Sequence, residues 1–119
     1  DAYNANPDSM AAALGTVAAM PGRHVAVLGR MHELGDAEAP GHREVGERAR
    51  ALGFAAVVVV GEDPGIAGGA GPIARNVATI EEAESVLRGY LSDGDVVLIK
   101  ASRAEGLEVL AERLRGERS

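Results

Sequence analysis

The chain contains no cysteine and no tryptophan, and it has only one phenylalanine and two tyrosines. The lack of cysteine excludes disulfide staples and thiolate chemistry, and it fits a reducing cytoplasm. Because aromatic residues make up only 3% of the sequence, the core has to be built from Val, Leu, Ala and Ile. An aliphatic core of this kind suits a parallel sheet that is buried on both faces.

Basic runs and long apolar runs are also missing. The formal net charge is −6, and the nearest approach to a basic cluster, Arg43, Arg48 and Arg50, is interleaved with glutamates. Such mixing is typical of a solvated helix face, so we expect no nucleic-acid partner. The longest apolar run, residues 54–60, is far shorter than the ~20 residues that a membrane-spanning helix needs. Since no signal peptide is visible either, we expect no membrane insertion.

The residues that are present form short alternating segments within 119 residues, which is the length of one domain. The patterns predict strands at residues 23–29, 55–60, 73–78 and 95–100, and helices at residues 7–20, 41–52, 80–91 and 103–115, with a short helix near residues 62–67. This alternation indicates an α/β fold with three layers, in which an open, mainly parallel, Rossmann-like sheet carries helices on both faces.

The chain begins on a predicted helix, so the strand that should precede it is missing. We therefore expect residues 1–119 to be a single domain that is truncated at its N-terminal side. An unpaired apolar sheet edge invites association. A version extended upstream by one strand should consequently be more stable.

Three polar segments fall at the carboxyl ends of the predicted strands, where open α/β sheets bind ligands. They are residues 1–6, 30–35 and 100–103. Residues 1–8 combine a carboxylate that could accept ribose hydroxyls, a tyrosine ring that could lie against a base, and asparagines that donate and accept. The helix that follows presents N–H groups toward anions. On chemistry alone, an ordinary Asx-rich helix start is the simpler interpretation of this segment.

Three sequence motifs, however, favour the functional interpretation of residues 1–8 over the structural one. Residues 1–9 (DAYNANPDS) resemble the segment that opens the C-terminal domain of Mur ligases. Residues 27–35 (VLGRMHELG) are similar to the family's Val-x-Gly-Asp-Met-x-Glu-Leu-Gly, and residues 97–108 (VLIKASRAEGLE) are similar to its Val-Lys-Gly-Ser-Arg-x-x-x-Met-Glu. Because the motifs agree in order and spacing and cover essentially the whole chain, the resemblance is specific. It is nearest to the family members that add D-alanyl-D-alanine.

The resemblance implies a bacterial, cytoplasmic, ATP-dependent ligase of three domains that works in peptidoglycan precursor synthesis. The central domain of such enzymes holds the phosphate loop and Mg²⁺, and the N-terminal domain holds the UDP-sugar, so we expect both to be absent from this chain. ATP phosphorylates the carboxylate of UDP-N-acetylmuramoyl-tripeptide, and the amine of the dipeptide attacks the acyl-phosphate. The C-terminal domain closes over ATP and helps to bind the dipeptide, and by itself it should be inactive.

The same resemblance assigns residues to two ligands. Asp1 matches the aspartate that binds ribose, and a cation from the third motif could meet the dipeptide carboxylate. We expect the nucleotide to contact Asp1, Tyr3, Asn4 and Asn6, and the dipeptide and its facing loop to involve Met31, Glu33, Lys100, Ser102 and Arg103. No catalytic residue and no metal ligand is expected in this chain.

The sequence departs from the family pattern at three positions. Arg30 stands in place of the usual Asp and reverses a charge near the cleft. Ala101 replaces a Gly and so adds a Cβ where backbone approaches ligand, and Leu107 replaces a Met. These changes bear on the details of the dipeptide pocket.

Two alternatives stay open. One is a related ligase for another amino acid, such as the diaminopimelate-adding Mur ligase or a folylpolyglutamate synthase, although those relatives carry a His-containing turn where this chain has Asn4-Ala5-Asn6. The other is a stand-alone, noncatalytic, Rossmann-like binding module, since a fold does not fix a function.

The remaining polar residues receive structural interpretations. The histidines show no metal-ligand spacing; His24 is interpreted as a surface residue, His32 as an ordinary loop residue and His42 as a structural residue. Residues 65–71 are glycine-rich but lack the Gly-Lys-Ser/Thr ending of a phosphate loop, so we expect a flexible loop there. Ser102 has no evident His/Asp partner that could make it a nucleophile.

Overall fold

The computed structural model describes residues 6–31 and 35–100. The helices are α1 (Pro7–Ala18), α2 (Glu38–Ala51), α3 (Ile66–Ala70) and α4 (Ile80–Tyr90), the strands are β1 (His24–Gly29), β2 (Ala56–Val60), β3 (Ala74–Val77) and β4 (Val96–Lys100), and two 3₁₀ turns lie at Gly35–Ala37 and Gly71–Ile73. All four predicted strands are confirmed. The predicted helix at residues 103–115 lies outside the described residues.

The four strands form one parallel sheet in the order β3-β2-β1-β4. The helices α2, α3 and α4 each return the chain from the end of one strand to the start of the next, so they run against the strand direction. The carboxyl ends of the strands and the starts of the helices therefore share one edge of the sheet. The predicted α/β fold with a parallel sheet is confirmed.

Both faces of the sheet are buried. Successive side chains of a strand point to opposite faces. The core layer between the sheet and α1, α2 and α3 includes Met10, Leu14, Ala26, Leu28, Val45, Val57, Val59 and Ile66. The layer between the sheet and α4 consists of Val25, Val27, Val58, Val60, Val77, Ala83 and Leu87. Burial on both sides explains why four of the five residues of β2 are consecutive valines.

Side-chain caps fix the starts of two helices. The Asn6 side chain accepts from the Ser9 N–H at 2.8 Å, and Ser9 Oγ accepts from the Asn6 N–H at 3.1 Å, which is a reciprocal capping box. At α4, Thr79 Oγ1 accepts from the Glu82 N–H. The Glu82 carboxylate, however, accepts from the N–H of Ala78 rather than from that of Thr79.

The prediction of a flexible loop at residues 65–71 is wrong, because this segment forms α3 and the turn after it. A Cβ on Gly69 would lie 2.0 Å from the carbonyl oxygen of Arg43, and a Cβ on Gly46 would lie 2.0 Å from that of Ile66. The glycines thus let the backbones of α2 and α3 touch. The short helix expected near residues 62–67 begins only at Ile66.

The helix predicted at residues 41–52 begins earlier than expected, because α2 starts at Glu38. Pro40 lies in the first turn of this helix, where its missing N–H costs nothing. No helix within residues 6–31 and 35–100 is long and apolar enough to cross a membrane.

Candidate functional site

The carboxyl edge of the sheet gathers described members of all three predicted ligand segments. Leu28 pairs with Lys100 and Gly29 pairs with Val60, so the ends of β4, β1 and β2 are level. Arg30 and Met31 follow β1 directly. Asn6 caps α1, whose start lies at this edge and which contacts β4. We call this region, defined by Asn6, Arg30, Glu62 and Lys100, the carboxyl-edge site.

Asn6 is the one predicted nucleotide contact within the described residues. It is exposed, and its side-chain oxygen is engaged by the first turn of α1. Its role in starting the helix is therefore established, whereas contact with a nucleotide stays a prediction. Asp1, Tyr3 and Asn4 lie outside the described residues.

Met31 is fully buried in the core on the α1 and α2 side of the sheet. The sequence placed it in a loop that faces the dipeptide, but its side chain packs inward and anchors the chain where that loop begins. A direct contact of Met31 with the dipeptide stays a prediction that this burial does not favour. Glu33 and His32 lie outside the described residues.

His42 holds the two ends of the same loop. Its buried imidazole accepts from the Met31 N–H through Nε2 at 2.8 Å and donates from Nδ1 to the Glu38 carbonyl oxygen at 2.5 Å. Because the Met31 N–H can only donate and the Glu38 carbonyl can only accept, the ring is assigned as the neutral tautomer with its proton on Nδ1. The structural interpretation of His42 is confirmed.

Arg30 is held by carboxylates from two neighbouring elements. Its guanidinium lies 2.7 Å from a Glu38 oxygen at the start of α2, and it also pairs with Glu62, which follows β2. The charge reversal at this position is thus accompanied by two opposite charges. Pairs that are partly exposed contribute about 0–1 kcal/mol each, so their main effect is to fix the geometry of the edge.

Asp63 is a residue of this edge that the sequence analysis missed. Its carboxylate accepts from the N–H groups of Gly65, Ile66 and Ala67 at 2.6–2.9 Å and so caps α3. Burial raises the pKa of the Asp63 carboxyl. The hydrogen bonds from Ala67, Gly65 and Ile66, with a weaker one from Asn76, outweigh that effect and hold its pKa below the usual value. The signal in the sequence was an Asp-Pro-Gly turn just before a short apolar helix.

Lys100 is the last residue of β4 and is half-buried. Its strand is the neighbour of β1, which Arg30 follows, so two cations stand side by side at the ends of β1 and β4. Ser102 and Arg103, the other predicted dipeptide contacts of this motif, lie outside the described residues. Within residues 6–31 and 35–100 no three His, Asp or Glu side chains come together as a metal site.

The amino edge of the sheet carries a separate polar cluster. The Arg23 guanidinium makes two hydrogen bonds to Asp95, at 3.1 and 2.6 Å, and stacks 4.3 Å from the centre of the Tyr90 ring. The hydrogen bond to Asp95 raises the pKa of Arg23 further. His24 was predicted at the surface, but it is half-buried. Its ring centre lies 5.7 Å from that of Phe54, and its Nε2 forms a hydrogen bond with the Met20 carbonyl oxygen.

Comparison with known proteins gives a consistent result. Residues 1–103 match the family described as Mur ligase, glutamate ligase domain. The chain is 40% identical over 140 aligned residues to the UDP-N-acetylmuramoyl-tripeptide–D-alanyl-D-alanine ligase of Mycobacterium tuberculosis H37Rv, a match that covers 96% of this chain and 28% of that protein. It is 34% identical over 117 residues to the enzyme of the same name from Escherichia coli K12, covering 97% and 26%.

Solved structures agree with the sequence relatives. The crystal structure of MurF ligase from Thermotoga maritima in complex with ADP superposes with a TM-score of 0.82 at 32% identity, over 94% of this chain and 26% of that one. A crystal structure of MurF from Acinetobacter baumannii gives a TM-score of 0.82 at 30% identity, over 96% and 26%. The chain therefore spans little more than a quarter of the length of the proteins that it resembles.

Proposed function

Because the chain belongs to the Mur ligase family, we propose that it is the C-terminal domain of the ATP-dependent ligase that joins D-alanyl-D-alanine to UDP-N-acetylmuramoyl-tripeptide. The observation that carries the proposal is the 40% identity over 96% of the chain to a ligase of that name. The reaction belongs to peptidoglycan precursor synthesis in the bacterial cytoplasm. We expect the central and UDP-sugar domains of the enzyme to lie outside this chain.

In the proposed reaction the tripeptide carboxylate takes the γ-phosphoryl group of ATP, and ADP is released. The dipeptide amine then attacks the acyl carbon, and phosphate leaves as the amide bond forms. The domain contributes by closing its carboxyl-edge site over the nucleotide and the dipeptide, which brings the reactants together. Mg²⁺ would neutralise phosphate charge, and we expect its ligands in the central domain.

The residues of this chain divide between the two ligands. Asp1, Tyr3, Asn4 and Asn6 would contact the nucleotide, and the complex of the Thermotoga maritima ligase with ADP supports nucleotide binding by the full-length enzyme. Lys100, Ser102 and Arg103 would meet the dipeptide, since cations suit its carboxylate. Met31 and Glu33 would belong to the loop opposite.

A variant of Lys100 tests the role of this edge in the full-length enzyme. Lys100→Met removes a charge-assisted hydrogen bond, which is worth about 1.5–3 kcal/mol, so the KM for D-alanyl-D-alanine should rise about tenfold or more. The KM for ATP should stay unchanged. Arg88→Met, on the exposed side of α4, is the matched control and should change neither value. A Lys100→Met enzyme with an unchanged dipeptide KM would remove this residue from the site.

The isolated chain offers a second test. It should show no turnover, because the phosphate loop is expected elsewhere. Hydrolysis of ATP by the isolated chain at an enzymatic rate would contradict the proposal. The two alternatives give other outcomes: a related ligase would prefer a different amine, and a stand-alone binding module would support no amine-dependent release of ADP at all.

A further inference from the structure

A cavity of about 330 Å³ opens at the amino edge of the sheet, opposite the carboxyl-edge site. It lies between the last turns of α4 and the first residues of β2 and β3. Its walls include Ala56, Val58, Ile73, Arg75, Val86 and Tyr90. The small Ala56 leaves room that a larger side chain would fill. The volume is at the lower end of the range for small-molecule sites, which is about 300–1,000 Å³.

Arg75 occupies a position of β3 that faces the apolar layer under α4. It is paired with Val58, just as Val77 is paired with Val60, so all four side chains share one face of the sheet. The three valines are buried in the α4 cluster, at 2%, 3% and 7% exposure, whereas Arg75 is exposed at the mouth of the cavity. Within the described part of the chain no ion pair or side-chain hydrogen bond engages its guanidinium.

Tyr90 forms a wall whose position is already fixed. The Arg23 guanidinium stacks on the ring and donates to the Tyr90 carbonyl oxygen at 2.9 Å, and the Asp95 carboxylate accepts two hydrogen bonds from the same guanidinium. An aromatic wall that is fixed in advance reduces the ordering cost of binding. Cation–π stacking on one side of the ring leaves the ring edge available to the cavity.

We propose that this cavity binds a small amphipathic monocarboxylate. The apolar body of the ligand packs against Val58, Val86 and Tyr90, and its carboxylate pairs with the Arg75 guanidinium. A guanidinium offers two parallel N–H groups that match both oxygens of a carboxylate. The site is independent of the ligase reaction, because the length of the strands separates the amino edge, where the cavity lies, from the carboxyl-edge site.

The competing explanation of Arg75 is protection of an edge strand. Within the described residues β3 ends the sheet, and an inward-pointing charge on such a strand discourages pairing with another chain. That explanation requires neither a cavity nor a fixed aromatic wall. It also predicts no saturable binding, so the two explanations are separated by measurement.

The test uses 3-phenylpropionate and its neutral amide as matched probes, titrated against the full chain and followed by saturation-transfer NMR. The acid should bind saturably, in the millimolar range that ~0.3 kcal/mol per non-hydrogen atom implies, and at least about fivefold more tightly than the amide. Arg75→Gln should lower the affinity for the acid to that for the amide and leave the affinity for the amide unchanged. Tyr90→Leu should weaken both probes.

Arg88→Gln is the control, because Arg88 lies on the same helix, pairs with Glu84 and does not line the cavity. It should alter neither affinity. Absence of saturable binding, equal affinities for acid and amide, or acid binding that survives Arg75→Gln would each overturn the proposal in favour of edge protection. None of these results bears on the ligase function, since no ligase substrate is present.

Discussion

The contact between α2 and α3 predicts a large effect from a very small substitution. An alanine Cβ at Gly69 would lie 2.0 Å from the carbonyl oxygen of Arg43 and 2.8 Å from the backbone nitrogen of Glu47. Both neighbours are backbone atoms of a helix, so no side chain can move aside. The two helices would have to separate by roughly 1 Å or more to reach ordinary van der Waals contact.

Two opposing effects determine how much Gly69→Ala changes the free energy of unfolding. Replacing glycine by alanine inside a helix gains about 0.5–1 kcal/mol from backbone entropy and helix propensity. Overpacking costs about 1–3 kcal/mol, and here it also pulls Ile66 and Ala70, both fully buried, away from the core. We therefore expect Gly69→Ala to lower the free energy of unfolding by about 2 kcal/mol. Urea titration followed by far-UV circular dichroism measures this change.

Gly15→Ala provides the matched control. Gly15 lies inside α1, and a Cβ there would meet no atom within 4 Å. This variant should gain about 0.5 kcal/mol or stay neutral. Gly46→Ala should behave like Gly69→Ala, and the double variant should lose less than the sum of the two, because both fill the same gap. A Gly69→Ala chain as stable as the Gly15→Ala chain would refute the close helix contact.

Three further substitutions test the carboxyl edge. Asp63→Asn should cost about 1 kcal/mol at neutral pH as a weakened helix cap. Since the folded-state pKa of Asp63 is lowered, its stabilisation exists above the unfolded-state pKa of about 3.9 and is lost as pH falls through the folded value. Urea titrations below pH ~4 should then show a smaller acid-induced loss in Asp63→Asn than in the parent, and identical pH profiles would argue against this cap. His42→Leu should lose about 1–3 kcal/mol in urea titration, because it leaves the buried Met31 N–H without a partner; a loss below about 0.5 kcal/mol would contradict the hydrogen bonds of this ring. Arg30→Asp should destabilise the fold by about 1 kcal/mol by placing three carboxylates together, and Glu38→Lys added to it should restore most of that loss at low salt; equal stability of Arg30→Asp and the parent would show that Glu38 and Glu62 do not act on this position.

The strands were predictable because burial on both faces leaves a plain signature. Residues 56–60 are a run of alanine and valine between turn residues, and no other element type explains so many β-branched side chains in so short a segment. The parallel direction followed from the helices between the strands. The order β3-β2-β1-β4, by contrast, depends on contacts between segments far apart in the sequence.

The glycine-rich segment shows where composition misleads. Glycine usually favours loops because its backbone is free to adopt many conformations. In α3, however, glycine is needed because the backbone of another helix lies in direct contact. That approach depends on Gly46, which belongs to a different element. The cap from Asp63 adds three hydrogen bonds that start a helix of low intrinsic propensity. Neither contribution can be seen within the segment itself.

The carboxyl-edge site was predicted as a set of segments but not as a set of contacts. The motif around Arg30 was correctly placed at the end of a strand, while its carboxylate partners depend on where α2 begins and where β2 ends. Met31 packs inward just after β1, where its backbone N–H donates a hydrogen bond to His42 Nε2. His24 is half-buried because Phe54, near the start of the neighbouring strand, lies beside it.

The proposed function is tested most directly by measuring ADP release from the full-length protein that contains this chain, supplied with ATP, Mg²⁺ and UDP-N-acetylmuramoyl-tripeptide. ADP release should depend on D-alanyl-D-alanine and should not be supported by diaminopimelate or glutamate. Release that responds to one of those amines and not to the dipeptide, or no amine-dependent release from a folded protein, would contradict the proposed function.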